Sequence, residues 1–307
     1  MARVVLAGGS GYLGRHLAQR LRERGDEVVV LTRGTSGHRG GVRFEHWDGR
    51  TVGSWAAVLD GADALVNLAG RRVDVRPTRA NVDDLRDSRV NAVRALGQAA
   101  AGLDEPPAVW VQVATMAVYG EGGEIVCDES VPPPPDGPRQ MVGVATAWEA
   151  AFADAVRDRN GRDVLLRCGV VIGPGDPATA HLAWLARLGV GGRIGSGRQW
   201  VSWIALDDLL SVVVRAMDEP AMAGTYHVTS PQPVRNAALM AGVRRVVGRR
   251  WGLPIPAFGV HVGTWLLGSD AALPLTGRRG HPGRLLDERY RFTTPDLDAA
   301  LATALAS

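Results

Sequence analysis

The apolar and polar positions divide the chain into two regimes. Through about residue 170, short apolar runs alternate with stretches whose apolar residues recur every three or four positions. That is the pattern of buried strands alternating with amphipathic helices. Val4 to Ala7 reads as a first strand, and Leu13, Leu17 and Leu21 place a helix over Tyr12 to about Arg24. Further strands are expected at Glu27 to Leu31, Val42 to Trp47, Asp63 to Gly70, Val109 to Val113 and Val164 to Cys168. Helices are expected over Val82 to Ala101 and Met141 to Val156. Such alternation predicts an α/β fold with a doubly wound parallel sheet of the Rossmann type. Beyond residue 173 the pattern loosens into helices at Leu182 to Leu188, Leu206 to Met217, Asn236 to Val247 and Asp296 to Leu305, with a strand at Thr225 to Thr229. The expected organisation is a nucleotide-binding domain over 1–170 and a smaller C-terminal substrate lobe over 171–307, packed as one unit. No internal repeat is present.

Between the first strand and the first helix stand Gly8, Gly11 and Gly14, spaced three apart. A strand, a tight glycine turn and a helix N-terminus together form a phosphate site, because the first amides of a helix lack partners and the helix dipole is positive there. Gly8 allows the turn, Gly11 admits a pyrophosphate to the backbone and Gly14 lets helix and strand close on each other. With Ser10, Tyr12 and Leu13 these residues are the expected dinucleotide cradle. The second strand ends in Thr32-Arg33. An acidic residue there bonds the ribose hydroxyls of NAD, whereas an arginine suits a 2′-phosphate, so Thr32 and Arg33 point to NADP(H). Arg39 and Arg43 are competitors for the same role. Ligands lie beyond the C-terminal ends of parallel strands, which adds Asn67, Leu68, Ala69 and Gly70. Asp48, in the turn after the third strand, is a further candidate for the cofactor.

Composition sharpens the chemistry. The chain has 307 residues, 46% hydrophobic, enough for a substantial core. All 35 basic residues are arginine, because the sequence contains no lysine. Net charge is +3, with acidic and basic residues interspersed along the whole chain, which argues for neither a nucleic-acid nor a membrane partner. Cys127 and Cys168 form no CxxC pair, and no histidine spacing suits a metal. The first strand begins next to Met1, and no apolar run approaches the ~20 residues that span a bilayer. The expectation is a soluble cytoplasmic protein.

Several stretches carry a family resemblance: Gly8-Gly9-Ser10-Gly11-Tyr12-Leu13-Gly14, Asn67-Leu68-Ala69-Gly70, Leu85-Arg86-Asp87-Ser88-Arg89-Val90 and Val118-Tyr119-Gly120. Later come Trp148-Glu149, Gly195-Ser196-Gly197-Arg198-Gln199-Trp200, Ser202-Trp203-Ile204 before Asp207-Asp208, and Arg284-Leu285-Leu286 leading to Phe292 and Pro295-Asp296-Leu297. In this order they resemble the extended short-chain dehydrogenase/reductases, and more closely their atypical branch of nucleoside-diphosphate-sugar epimerase-like proteins. The resemblance implies a Rossmann domain, NADP(H), Arg89 among the cofactor contacts and a C-terminal substrate lobe. It also implies a homodimer through the helices after strands four and five. It implies no single reaction.

The broader family transfers hydride with a Tyr-x-x-x-Lys pair and a Ser or Thr at the end of strand five. A neighbouring cation lowers the tyrosine pKa so that its hydroxyl can move the proton that accompanies the hydride. Here Thr115 resembles that Ser/Thr. Registering Glu149 with the family glutamate puts Met141 and Ala145 at the Tyr and Lys places, and a shifted register puts Val144 and Trp148 there. Without a lysine no register restores the pair. Substitute proton carriers are Thr115, Tyr119, His181 or water, with Glu121 and Glu124 as loop carboxylates. Trp200 and Trp203 are candidates for an aromatic substrate wall. The family arginine that contacts a nucleotide-sugar diphosphate falls at Val201, for which Arg198 is the stand-in. The expected function is an NADP(H)-dependent oxidoreductase acting on a small metabolite, carbonyl-bearing or cyclic. The alternatives are a nucleotide-sugar epimerase, an NADPH-binding sensor or scaffold without turnover, and a lyase or cyclase using the same cleft.

Overall fold

Near-continuous apolar runs are what a strand covered on both faces requires. The computed structural model, which describes residues 1–306, gathers those runs into one eight-stranded sheet. In chain order the strands are β1 (Arg3–Ala7), β2 (Glu27–Thr32), β3 (Gly37–Arg39), β4 (Val42–His46), β5 (Ala64–Asn67), β6 (Val109–Thr115), β7 (Val126–Cys127), β8 (Arg162–Cys168), β9 (Val170–Ile172), β10 (Trp200–Val201), β11 (Trp203–Ala205), β12 (Gly224–Val228), β13 (Val234–Arg235) and β14 (Arg279–Gly280). The main sheet runs β12-β8-β6-β5-β1-β2-β4-β3, parallel except for the β3 edge. β1 lies between β2 and β5, so the winding reverses there and opens a crevice at the strands' C-terminal ends.

The helices are α1 (Tyr12–Glu23), α2 (Arg79–Ala101), α3 (Val144–Val156), α4 (Pro177–Arg187), α5 (Leu206–Asp218), α6 (Asn236–Val246), α7 (Ala257–Leu267), α8 (Ala272–Leu275), α9 (Gly283–Asp287) and α10 (Leu297–Leu305). α1 and α5 bury Leu17, Leu21, Leu209 and Val213 against one face of the sheet. α2 and α3 cover the other with Val93, Leu96 and Phe152, whose ring meets Trp110 of β6 edge-on at 5.4 Å. α4, α6 and α10 form the core of the C-terminal lobe around Trp203, Leu239, Val243 and Leu301.

Three departures from the sequence reading have local causes. α4 begins at Pro177, five residues earlier than expected. Asp176 caps it by accepting from the Thr179 amide at 2.7 Å, and proline suits the first turn. The helix expected from Met141 is α3 preceded by a wide turn over Arg139–Gly143. The division at residue 170 does not separate two layers. The strand expected in the lobe is β12, which pairs with β8 from Gly224↔Val164 to Val228↔Cys168, and α5 packs on the same sheet. Residues 206–228 therefore return to the nucleotide-binding layer, because Tyr226 and Val228 find full burial beside Leu166.

Candidate active site

The glycine turn is built by close approach. Gly8 has φ +76°, and a Cβ there would lie 2.8 Å from the backbone of Ala69. A Cβ on Gly14 would lie 2.4 Å from the Cα of Gly9, so α1 docks on the turn only because both are glycine. Gly11 differs: its φ is −72°, and a Cβ there would meet only the Gly8 carbonyl, at 3.4 Å. It is the N-cap of α1, with no side-chain cap and no acidic residue in the first turn. The amides of Tyr12, Leu13 and Gly14 thus form an open anion site. The fit to a dinucleotide phosphate rests on that uncapped end.

Beside it, Thr32 is buried, its Oγ1 3.3 Å from Ser10 Oγ and accepting from the Gly34 amide at 3.2 Å. Arg33 is exposed, and among the described residues its guanidinium has no hydrogen-bond or ion-pair partner. The competing arginines are committed. Arg39 lies over the Phe44 ring at 4.7 Å and donates to Thr35 O, and Arg43 pairs with Glu45 at 2.7 Å. Of these three arginines only Arg33 has no partner among the described residues. Asp48 is spent on its own turn, accepting from Arg50 N, Thr51 N and Thr51 Oγ1. These bonds, that from the Thr51 hydroxyl foremost, hold its carboxyl down at about 2. The side chain expected to touch a cofactor is thus a turn-closing one.

Asn67 is fully buried and acts on the cradle from behind. Its Nδ2 donates to Gln112 Oε1 at 2.9 Å, and its Oδ1 accepts from the Ala69 amide at 3.0 Å, which fixes Leu68-Ala69-Gly70 against Gly8. Arg89 works alike: it donates to Leu85 O and Arg71 O and lies over the Trp148 ring at 5.2 Å. A Cβ on Gly70 would meet its guanidinium carbon at 3.1 Å. Burial lowers the Arg89 pKa to about 10, so it stays charged at neutral pH. Tyr12 ties the turn to the lobe by donating to Pro174 O at 3.1 Å.

The expected proton carriers separate clearly. Thr115 ends β6, and its Oγ1 accepts from Ala117 N at 3.1 Å, which leaves the hydroxyl proton free to donate outward. Tyr119 is buried instead of facing the cleft. Its hydroxyl donates to Val131 O at 2.8 Å, accepts from Arg167 Nη1 at 2.8 Å and lies 3.2 Å from His227 Nε2. Arg167 in turn holds Glu149 at 2.8 Å, so Tyr119 belongs to an internal network. His181 is exposed and stacked on Trp184 at 5.7 Å. α4 buries Thr179, Ala183 and Ala186, and His181 projects from the opposite face. Met141 and Ala145 are both buried: Met141 Sδ lies 3.6 Å from Thr276 Oγ1, whose proton goes to Ala272 O, and Ala145 packs with Met116, Val118 and Tyr119. Val144 and Trp148, which the shifted register puts at those places, are buried as well, so in either register packing side chains stand there.

Around the end of β6, segment 276–280 closes over Met116, Met141 and Ser202. Gly277 N donates to Glu121 Oε2 at 2.7 Å, and a Cβ on Gly280 would meet Ser202 Oγ and the Met116 methyl within 3 Å. Trp203 is not a substrate wall: it is fully buried, with Nε1 donating to Gln232 O. Trp200 is half-buried and donates to Glu124 at 3.2 Å, while the guanidiniums of Arg235 and Arg279 lie over its ring at 3.8 and 4.8 Å. A flat apolar substrate would have to displace them. Arg235 pairs with Glu124 at 2.7 Å, and the exposed Arg198 offers its carbonyl to Arg235. The sequence reading did not single out Arg278. Its pKa is pulled down by burial, against the pull of Glu121 and Cys127, and its guanidinium has no hydrogen-bond or ion-pair partner among the described residues. A depression of about 410 Å³, lined by Arg3, Glu27, Asp60, Asp63 and Glu105, lies at the opposite, N-terminal edge of the sheet and touches none of these groups.

All four tyrosines are pushed up to about 12, burial being the largest cause in each case. None is prepared for proton transfer at neutral pH. A raised folded-state pKa contributes stability that is complete below the ordinary value near 10 and is lost as pH climbs toward 12. Ultraviolet titration of the native protein should therefore show no phenolate through pH 10, with stability falling between pH 10 and 12. A tyrosine ionising below pH 9 in the native protein would contradict this geometry.

Residues 4–229 match the NAD dependent epimerase/dehydratase family, and residues 255–304 match a domain of unknown function, DUF1731. The human epimerase family protein SDR39U1 is 31% identical over 310 residues, covering 99% of this chain and 100% of its own. Its chloroplastic homolog in Arabidopsis thaliana is 30% identical, covering 94% and 82% of the two chains. The crystal structure of human SDR39U1 with NADPH superimposes with a TM-score of 0.86 over 98% of each chain, at 31% identity. The nucleoside-diphosphate sugar epimerase from Corynebacterium glutamicum gives 0.78 at 27% identity, over 99% of this chain and 58% of the other. With the fold, the glycine turn and these matches in agreement, the chain belongs to the NAD dependent epimerase/dehydratase family.

Proposed function

We propose that the protein is an NADP(H)-dependent oxidoreductase acting on a small, carbonyl-bearing and anionic metabolite. The observation that carries the reading is the uncapped N-terminus of α1 with an uncommitted Arg33 beside it. The NADPH of the human relative's structure supports it. Bound there, the cofactor would supply or accept the hydride. The protein's own part is to hold the diphosphate on the amides of Tyr12 to Gly14 and the 2′-phosphate on Arg33. Asn67 and Arg89 keep the opposing Leu68–Arg71 segment in place.

Thr115 is the proposed proton donor to the substrate oxygen. Its own oxygen is oriented by the Ala117 amide, and the tyrosines are bound elsewhere. The half-buried Arg278, its guanidinium unpaired among the described residues, is the proposed contact for an anionic group of the substrate, with Arg279 and Arg198 adding to the positive field. A nucleotide-sugar epimerase fits less well, because Met141 and Ala145 leave no base to open and close the sugar alcohol. The two cysteines are buried and free, which suits a reducing compartment, and the cytoplasm is the proposed location.

Two experiments test this reading. Fluorescence titration should show NADPH binding at least ~10-fold tighter than NADH, which corresponds to ~1.4 kcal/mol. Arg33→Ala should remove that preference, while Arg39→Ala leaves it intact. Equal affinities in the unaltered protein would remove the 2′-phosphate assignment. With a substrate found among anionic carbonyl compounds, Thr115→Val should lower kcat by ~100-fold or more with NADPH affinity unchanged, as loss of a general acid does. An unchanged kcat would exclude Thr115 as the donor.

A further inference from the structure

α7 is an almost wholly apolar helix that the fold leaves exposed. Its sequence, AFGVHVGTWLL, contains no charged residue, yet of its eleven residues only Val260 is buried. Phe258, Val262, Trp265, Leu266 and Leu267 are between 55% and 74% exposed. Val260 anchors the helix against Ile194, Met240 and Ala271, with Ile255 and Leu182 alongside, so α7 lies next to the segment that leads into it and to α4. Those neighbours extend the same apolar surface. Trp251 and Leu253 are 68% and 59% exposed, and a Cβ on Gly189, just past α4, would lie 3.7 Å from the Trp251 ring. Contiguous exposed apolar surface rich in tryptophan marks a surface for a partner.

Charge identifies the partner. The overall balance of 35 basic and 32 acidic residues hides a local asymmetry. No acidic residue lies between Asp176 and Asp207, or between Glu219 and Asp270, while these two stretches hold Arg187, Arg193, Arg198, Arg235, Arg244, Arg245, Arg249 and Arg250. Arg235 and Arg245 are neutralised from outside by Glu124 and Asp298. Arg187, Arg249 and Arg250 are exposed with no acidic partner among the described residues. They border Trp251, the Arg249 guanidinium donating to Arg187 O. At the far end of α7, Arg76 lies over the Trp265 ring at 5.5 Å and donates to its carbonyl.

We propose that this face, α7 with Trp251 and Leu253 and their arginine rim, docks the protein peripherally on the surface of an anionic lipid bilayer. Tryptophan and phenylalanine sit at the level of the headgroups, aliphatic side chains reach the acyl boundary, and arginines pair with lipid phosphates. At about 16 Å, α7 is too short to cross a bilayer. Nor does any helix among the described residues have the length and apolarity to cross one. A second copy of the chain is a poorer occupant, because a two-fold contact through α7 sets the same unneutralised arginine rim against itself. The sequence-level expectation of no membrane partner rested on charge averaged over the whole chain, whereas the proposal rests on the local runs of arginine. The inference is independent of the redox reading.

Vesicle co-sedimentation of the full chain tests it. Binding should be strong to phosphatidylcholine vesicles holding about 30% phosphatidylglycerol and weak to phosphatidylcholine alone. It should weaken as salt is raised. The exposed triple substitution Phe258→Ser, Trp265→Ser, Leu266→Ser should reduce binding at least ~10-fold. Arg249→Ala with Arg250→Ala should abolish the preference for anionic vesicles. Circular dichroism melting of both variants should match the parent, since the side chains altered are exposed. No binding to either vesicle would overturn the proposal. So would a concentration-dependent dimer, seen by sedimentation velocity, that the triple substitution dissociates.

Discussion

The fit of α1 onto the glycine turn governs the molecule. Gly14 meets Gly9, and Gly8 meets Ala69, at distances that exclude a Cβ, so β1, α1 and the end of β5 are locked within one turn of chain. Everything functional is referenced to that lock. It leaves the first amides of α1 facing the crevice, sets the end of β2 and Arg33 to one side, and brings Tyr12 within reach of Pro174. The remaining strands add width to the sheet, and the lobe closes over an edge that these contacts have already defined.

Inside that frame the positions that resemble the family's Tyr and Lys places are occupied by packing side chains. Met141 and Ala145 are buried among Thr276, Met116 and Val118, and Tyr119 is tied to Arg167, His227 and the Val131 carbonyl. Buried arginine takes over structural duties along the chain: Arg89 braces the Gly70 loop, Arg162 donates to three carbonyls of α5 and its following turn, and Arg167 pairs with Glu149. Arg278, half-buried, has no hydrogen-bond or ion-pair partner among the described residues.

The Rossmann layer was legible in the sequence because its signals are local. Buried parallel strands are apolar runs, and the glycine spacing encodes contacts made within one turn. Arg33 could be singled out by position, but its freedom depended on Phe44 and Glu45 occupying its competitors. What misled were residues whose roles are set by distant partners. Trp203 and Trp200 look alike in sequence, yet one is sealed under Gln232 and the other is faced by two arginines. Tyr119 and His181 carry suitable chemistry, but burial claims one and solvent the other. β12 follows a helix of the looser C-terminal half and pairs with β8, a pairing that no local pattern announces. The arginine-rich stretches 177–206 and 220–269, which hold no acidic residue, were averaged away in the net charge.

The central claim is that the bare N-terminus of α1 is the cofactor's phosphate site. Gly11 has ordinary backbone angles and room for a side chain, so Gly11→Asp would place a capping carboxylate over the open amides without disturbing the lock at Gly8 and Gly14. Titration calorimetry with NADPH on this variant is the direct test. The account predicts a folded protein of equal or higher melting temperature, because the helix gains its missing cap, with NADPH affinity reduced ~100-fold or more by the competing negative charge. Undiminished NADPH binding to folded Gly11→Asp would contradict it.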